Sequence, residues 1–159
     1  MPWRLATEPL GAWVLHALAL WLWHAPRLFE ASLVGEGVHT LQHISFLATA
    51  LLFWWSVLGT AMRGEQGRAL VSLFTTMVHT GALGALLTLS SAGWYPSYAP
   101  TAPVFGLTAL EDQQLGGLIM WVPAGLVYVI VGLALATRWL GSAGEPARRP
   151  GQPTSVRPR

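Results

Sequence analysis

Five histidines are the side chains of this sequence with the greatest capacity for chemistry: His16, His24, His39, His43 and His79. Each lies within or at the edge of an uncharged apolar stretch, where a polar side chain is costly unless it is hydrogen-bonded or bound to a ligand. A lone histidine in such a stretch often serves only as a hydrogen-bond partner for a neighbouring helix. Neutral imidazole also binds Cu, Zn and Fe. The residue type alone therefore leaves a structural and a metal-binding interpretation open.

The stretch VHTLQHISF places His39 and His43 at the start of an apolar run. On an α-helix these two residues lie about 40° apart around the axis and about 6 Å apart along it, so both imidazoles can face one metal ion or one partner. His24 ends the preceding apolar run, and a short connection leads from it to His39. We therefore expect His24, His39 and His43 near the same surface.

Acidic residues reach the same surface from another connection, because Glu111 and Asp112 precede the last apolar run. Three imidazoles and a carboxylate without a thiolate suit Cu(II), Zn(II) or Fe, and a nearby thioether favours copper. Met120, about two helical turns beyond Asp112, could supply it, although a methionine in an apolar helix more often serves in packing. The competing interpretation of Glu111 and Asp112 is the first turn of a helix, where acidic side chains complement the helix dipole.

His16 and His79 lie deeper in their apolar runs. His16 is about 12 Å along and about 80° around a helix from His24, and His79 is near the middle of its run. Their structural interpretation is a hydrogen bond to each other or to one of the threonines near His79, which are Thr75, Thr76 and Thr80. The alternatives are a second metal site or axial ligation of a haem between helices, with His43 as a further haem ligand.

Composition disfavours several classes of function. Cysteine is absent, which excludes disulfides, thiolate ligands and thiol redox chemistry. The sequence shows no Ser/His/Asp order, phosphate-binding loop or pair of buried carboxylates, so it predicts a protein that is not an enzyme. All nine basic residues are arginine, and they flank the apolar runs. This pattern indicates membrane topology rather than nucleic-acid binding.

The elements that must position these side chains are predicted to be membrane-spanning helices. The chain is 53% hydrophobic and only 10% charged, which is typical of a membrane protein. Its uncharged runs are each long enough for about one crossing of roughly 30 Å of hydrocarbon, the first only marginally. Lipid offers backbone groups no hydrogen bonds, so the spans should be helices. The predicted spans are residues 10–25, 39–61, 69–91 and 114–138.

The arginines predict the topology. Arg63 and Arg68 bracket the second connection, Arg4 precedes the first span, and an arginine-rich segment follows the fourth. The positive-inside rule places these regions, and both termini, in the cytoplasm. The connections 27–37 and 93–112 then face outside as loops.

The predicted domain organisation is simple. Residues 1–140 are expected to form an all-α, polytopic four-helix bundle in the plasma membrane, and the Pro, Gly and Arg-rich residues 141–159 a disordered basic cytoplasmic tail. Gly81 and Gly84 in the third span, with Gly116 and Gly117 in the fourth, would let helices approach closely. Pro123 predicts a kink in the fourth span.

Five segments of the chain, in order, resemble one known family. They are ALWLWHAPRLFEASL, VHTLQHISFLATALLFWW, MVHTGALGALL, WYPSYAP and LEDQQLGGLIMWVPAG. Together they resemble the polytopic CtaG family of assembly factors for caa-type cytochrome c oxidase, over almost all of residues 9–140. The motif histidines of the family correspond to His24, His39, His43 and His79, and its acidic and amide block to Asp112 and Gln113. Family members usually have more than four spans, so the chain is interpreted as a short member.

The resemblance implies a membrane protein needed to mature cytochrome c oxidase, with copper as the metal it handles. We therefore expect lipid and oxidase subunits as partners, and either a second copy of the chain or another membrane chain beside it. Two alternatives from other classes are a haem-binding electron carrier and a metal-free scaffold for oxidase subunits. The predicted metal ligands are His24, His39, His43, His79, Asp112 and Met120.

Overall fold

The structure, a computed structural model, describes residues 8–143. All regular elements in this part of the chain are helices, which confirms the predicted all-α class for these residues. Two short 3-10 turns, Pro96–Tyr98 and Ala102–Phe105, lie between the last two long helices. The α-helices are α1 (Pro9–His24), α2 (Pro26–Val34), α3 (Glu36–Met62), α4 (Gln66–Leu89) and α5 (Ala109–Ala143).

Three helices are long and apolar enough to cross a membrane: α3, α4 and residues Ala109–Ser142 of α5. α1 has 16 residues, which corresponds to about 24 Å of helix against roughly 30 Å of hydrocarbon. The first predicted span, residues 10–25, and the cytoplasmic placement of both termini stay predictions. α5 continues past the predicted domain boundary at residue 140, and residues 1–7 and 144–159, which include Arg4 and most of the predicted tail, lie outside the described residues.

The prediction of a loop over residues 27–37 is wrong, because α2 occupies most of this connection. Ala25 has an extended backbone, with φ −62° and ψ 130°. A residue before proline is disfavoured in the helical conformation, whereas proline itself fits the first position of a helix. The Ala25–Pro26 step therefore ends α1 and starts α2 without a loop between them.

The second outer connection is also shorter than the predicted 93–112. α5 begins at Ala109, so Glu111 and Asp112 are already helical. We call the end of the bundle that carries the connection between α4 and α5 the loop end. The opposite end carries the tight turn between α3 and α4, where Gly64 adopts φ 85°, a conformation that suits glycine after a helix C-terminus.

The main core cluster lies in the half of the bundle away from the loop end. It contains Phe53 and Val57 of α3, Leu73 of α4, and Tyr128 and Leu135 of α5. The rings of Trp54 and Tyr128 stack beside it, with centroids 5.6 Å apart. Large apolar side chains on the outer faces are exposed, as expected for a surface that meets lipid or other membrane helices.

α4 and α5 form the most extensive helix pair, and two glycines set their close approach. A Cβ added at Gly84 would lie 2.5 Å from Cβ of Trp121. A Cβ at Gly117 would lie 2.6 Å from Oγ1 of Thr88 and 3.0 Å from the backbone nitrogen of that residue. The predicted role in close packing is confirmed for Gly84 and Gly117. It is wrong for Gly81 and Gly116, where nothing lies within 4 Å of an added Cβ.

Substituting Gly84→Ala is expected to destabilise the protein by about 1–3 kcal/mol, because the added methyl group overpacks the contact with Trp121. Gly81→Ala on the same helix is the matched control. It should leave stability unchanged or raise it slightly, since alanine favours a helix by up to about 1 kcal/mol over glycine. Thermal unfolding of the detergent-purified variants measures both. Equal stability of Gly84→Ala and wild type would contradict the described helix contact.

Candidate metal site

A cavity of about 230 Å³ lies at the loop end, between α1, α2, α4, α5 and the connection that precedes α5. We call it the loop-side cavity. Three of the predicted metal ligands line it: His24 from α1, and Asp112 and Met120 from α5. Asp112 and Met120 are about 12 Å apart along α5, so the cavity extends inward from the helix terminus. The structure thus brings together an imidazole, a carboxylate and a thioether around one space.

The orientation of the His24 imidazole is fixed by its own helix. Nδ1 lies 2.7 Å from the carbonyl oxygen of Leu20. A carbonyl oxygen can only accept a hydrogen bond, so Nδ1 carries the proton and, in the neutral ring, Nε2 carries the free lone pair. The rings of Phe29 and Phe46 flank the imidazole at centroid distances of 6.2 and 5.9 Å. His24 therefore has one nitrogen satisfied and one nitrogen able to bind a cation.

Two tyrosines of the connection before α5 close the cavity. The hydroxyl of Tyr95 donates a hydrogen bond of 2.9 Å to the carbonyl oxygen of His24, a group that has lost its helical partner beside Pro26. The Tyr95 ring stacks on Phe29 at 4.1 Å. Burial, with a smaller contribution from Tyr98, raises the pKa of Tyr95 to about 12. The phenol is therefore protonated at neutral pH and acts as a donor.

The second tyrosine, Tyr98, lies near two carboxylates at the cavity, those of Asp112 and Glu30. Burial raises its pKa, and the carboxylates of Asp112 and Glu30 raise it further. Glu30 accepts hydrogen bonds from the hydroxyl and the backbone N–H of Ser97, which tie α2 to the first 3-10 turn. Sequence alone indicates only that Tyr95 and Tyr98 suit an aromatic belt at a membrane interface. Their part in the cavity depends on a 71-residue separation that no local pattern encodes.

The block EDQQ divides into residues with different roles. Thr108 and Glu111 form a capping box at the start of α5: the Thr108 N–H donates to Oε2 of Glu111 at 2.8 Å, and the Glu111 N–H donates to Oγ1 of Thr108 at 3.2 Å. The first-turn interpretation is therefore confirmed for Glu111 and Asp112, which both lie in the first turn of α5. Asp112 also lines the cavity.

The buried amide of Gln113 fastens the end of α4 to the start of α5. Its Oε1 accepts a 2.6 Å hydrogen bond from the Trp94 N–H, and its Nε2 donates to the carbonyl oxygens of Leu87 and Ala92, both at 3.4 Å. Carbonyl groups at a helix C-terminus have no partner within the helix. Gln113 therefore satisfies backbone groups that would otherwise lie unpaired beside the cavity.

The pair His39 and His43 is present as predicted but stands outside the loop-side cavity. Their ring centroids are 4.5 Å apart, which confirms that both imidazoles share one helix face. Both side chains are exposed on the outer surface of α3. Phe46, one helical turn further along α3, contacts the ring of His24. Phe46 lies on the same face of α3 as the pair, so the pair is near His24 along that face but does not line the cavity.

The structure does not bring His79 to the loop-side cavity. Its ring meets Trp13 edge-on at 5.5 Å, and Nε1 of Trp21 donates to its Nδ1 at 3.4 Å. The proton of a neutral ring is then on Nε2, which is buried and has no hydrogen-bond partner among the described residues. The predicted threonine partner of His79 is wrong, because the described hydrogen bonds of Thr75, Thr76 and Thr80 all go to carbonyl oxygens of their own helix and none joins His79.

Within residues 8–143, no group of three or more histidine, aspartate or glutamate side chains is close enough to hold a metal ion. A site at the loop-side cavity would therefore combine His24 with either the carboxylate of Asp112 or the sulfur of Met120, since these two side chains are about 12 Å apart along α5. The volume of about 230 Å³ lies below the roughly 300–1,000 Å³ typical of pockets for organic ligands. This size favours an ion over an organic ligand at this cavity, and haem binding, predicted at His16, His43 and His79, stays a prediction.

Comparison with known proteins identifies one family. A family model described as "Cytochrome c oxidase caa3 assembly factor" (Caa3_CtaG) matches residues 1–142. Uncharacterised proteins of Mycobacterium bovis and Mycobacterium tuberculosis are each 28% identical to this chain over 137 residues, and one of Mycobacterium leprae is 25% identical. The matches cover 84% of this chain and 21% of each relative, so the chain spans about a fifth of their length. No solved structure matches it.

Replacing Gln113 with leucine is expected to destabilise the protein by about 1–3 kcal/mol, because buried backbone groups of the α4–α5 connection lose their partner. Gln114→Leu is the matched control, since Gln114 is less buried and its side chain donates only to the Ser90 carbonyl oxygen. Chemical denaturation in detergent compares the two variants. A loss of stability in Gln114→Leu as large as that in Gln113→Leu would contradict the role assigned to Gln113.

Proposed function

We propose, since the chain belongs to the family of cytochrome c oxidase caa3 assembly factors, that it is a membrane-embedded assembly factor and holds copper as cargo for the oxidase. The observation that carries the copper proposal is the loop-side cavity, where His24, Asp112 and Met120 line one space. These side chains offer nitrogen, oxygen and sulfur. The thioether sulfur favours copper over zinc and magnesium.

The tautomer of His24 supports this assignment. Metal-binding histidines usually donate their second ring N–H to a carboxylate, a water or a backbone carbonyl, which orients the ring and raises its basicity. The hydrogen bond from Nδ1 of His24 to Leu20 has this form. Nε2 of His24 is therefore the proposed ligand atom. The carboxylate of Asp112 would offset the charge of the ion.

The small number of ligands suits a cargo rather than a resident cofactor. With one imidazole and either one carboxylate or one thioether as ligands, the site is expected to release copper to an acceptor that offers more histidines. His39 and His43 are proposed as the exposed exchange surface, because their rings are close together and lie on the partner-accessible side of α3. His79 has no part in this proposal, since its ring contacts Trp13 and Trp21 instead.

Location at the loop end also fits delivery at a membrane surface. The positive-inside rule predicts that this end faces away from the cytoplasm. Copper bound there reaches an acceptor at the same surface without a bare charge crossing hydrocarbon. The proposed partners are therefore subunits of the oxidase in the same membrane.

Copper retention by the detergent-purified protein tests this proposal. The protein is loaded with Cu(I) under ascorbate, dialysed, and measured by mass spectrometry of the metal. His24→Ala and Asp112→Asn should each weaken binding roughly tenfold or more, because loss of ligand-sphere groups has effects of this size or larger. Glu111→Gln is the matched control. Glutamine can replace glutamate in a capping box, so this neighbour of Asp112 should leave copper binding unchanged.

Wild-type protein that retains no copper, or retention that is the same in all three variants, would contradict the copper proposal. The scaffold alternative would gain support if a His39→Ala, His43→Ala double variant still matured the oxidase in cells. A Soret band in the purified protein would instead support the haem alternative.

A further inference from the structure

A second cavity lies deeper in the bundle, beyond the loop-side cavity. It has a volume of about 210 Å³ and is bounded by α1, α3, α4 and α5. We call it the mid-bundle cavity. Met120 lines both this cavity and the loop-side cavity, and it is the one described residue that does so. The thioether of Met120 therefore stands between the two spaces.

The mid-bundle cavity contains a second imidazole, that of His16, which is buried with 6% of its surface exposed. Nδ1 of His16 lies 3.3 Å from Oγ1 of Thr49. The Thr49 hydroxyl donates its own proton to the Ser45 carbonyl oxygen at 2.8 Å, so its oxygen accepts from Nδ1. In the neutral ring Nε2 of His16 then carries the free lone pair. His16 is thus arranged as His24 is, with one nitrogen held by the protein and one free.

His16 and Met120 lie at similar distances from the loop end. His16 lies about 12 Å along α1 from His24, and Met120 lies about 12 Å along α5 from Asp112. α1 runs toward the loop end and α5 runs away from it, so both steps lead inward by the same distance. The imidazole of His16 and the thioether of Met120 therefore reach a similar depth, and both line the mid-bundle cavity.

The residues that line the mid-bundle cavity suit a monovalent ion better than a divalent one. Among residues 8–143 no carboxylate lines this cavity, in contrast to the loop-side cavity with Asp112. The cost of burying an ion in an apolar medium rises steeply with its charge, so a divalent ion is disfavoured there. Neutral imidazole and thioether ligands suit a soft monovalent ion. The faces of Trp54 and Trp121, which also line the cavity, can add cation–π attraction.

We propose that the mid-bundle cavity is a second site for Cu(I), formed by His16 and Met120, and that Met120 passes the ion between this site and the loop-side cavity. The proposal rests on the proposed function, since the mid-bundle cavity would receive copper from the loop-side cavity or give copper to it. No oxidation or reduction is involved. The ion exchanges the Nε2 ligand of one histidine for that of the other while the thioether remains bound.

Silver(I) is a suitable probe, because it is a soft monovalent ion that does not change oxidation state under these conditions. The full chain in detergent is titrated with Ag(I), and the ligands are identified by X-ray absorption at the silver edge. Wild-type protein should show sulfur in the ligand sphere and two classes of site. Met120→Leu should lose the sulfur signal, and Ag(I) should fill the mid-bundle cavity at least roughly tenfold more slowly. The substitution nearly conserves the volume of the side chain at residue 120.

Met77→Leu is the matched control, because Met77 packs against the core and lines neither cavity. It should behave as wild type. His16→Asn should remove one class of site, and His24→Ala the other. If His16→Asn binds Ag(I) as wild type does, with sulfur still in the ligand sphere, while His24→Ala loses binding, the second site is overturned and the proposed function stands. If only the His16-dependent class exists, the loop-side site fails instead. Wild-type spectra without sulfur contradict the second site without any variant.

Discussion

The arrangement at the loop end depends on the hydrogen bond that Nδ1 of His24 donates to the carbonyl oxygen of Leu20. This bond selects the tautomer of His24 and holds its ring against α1. His24 is the last residue of α1, two residues before Pro26. The carbonyl group of the same residue accepts from Tyr95, which anchors the connection before α5. His24 thus links α1 to the loop that closes the cavity, and the free Nε2 is a consequence of satisfying Nδ1 in an environment poor in water.

The same constraint separates His16 and His79 into two kinds. Thr49 accepts from Nδ1 of His16, which leaves Nε2 free, whereas Trp21 donates to Nδ1 of His79, which leaves Nε2 protonated. Only the first arrangement offers a lone pair to a cation. Hydrogen-bonded partners on neighbouring helices, rather than depth in the membrane, therefore decide which imidazoles can act as ligands. Met120 lies between the two that can.

Much of the fold could be predicted from the sequence, because uncharged apolar runs and the absence of water require helices. The shared face of His39 and His43 followed from helix geometry. Other features depend on which faces meet in the folded chain. The sequence could not tell Gly84 from Gly81, since only the first faces Trp121, nor place Tyr95 at His24, and it treated α2 as a loop although Pro26 is a good first helical residue.

The most direct test of the account is the protonation state of the histidine rings, measured by nitrogen-15 NMR on the full chain in detergent. Signals are assigned with His24→Asn and His79→Asn variants. The account predicts that His24 is protonated at Nδ1 and bare at Nε2, that His79 is protonated at Nε2, and that added Ag(I) shifts the Nε2 signal of His24. A proton on Nε2 of His24, or a spectrum of His24 unchanged by Ag(I), would contradict a metal-handling role for this residue.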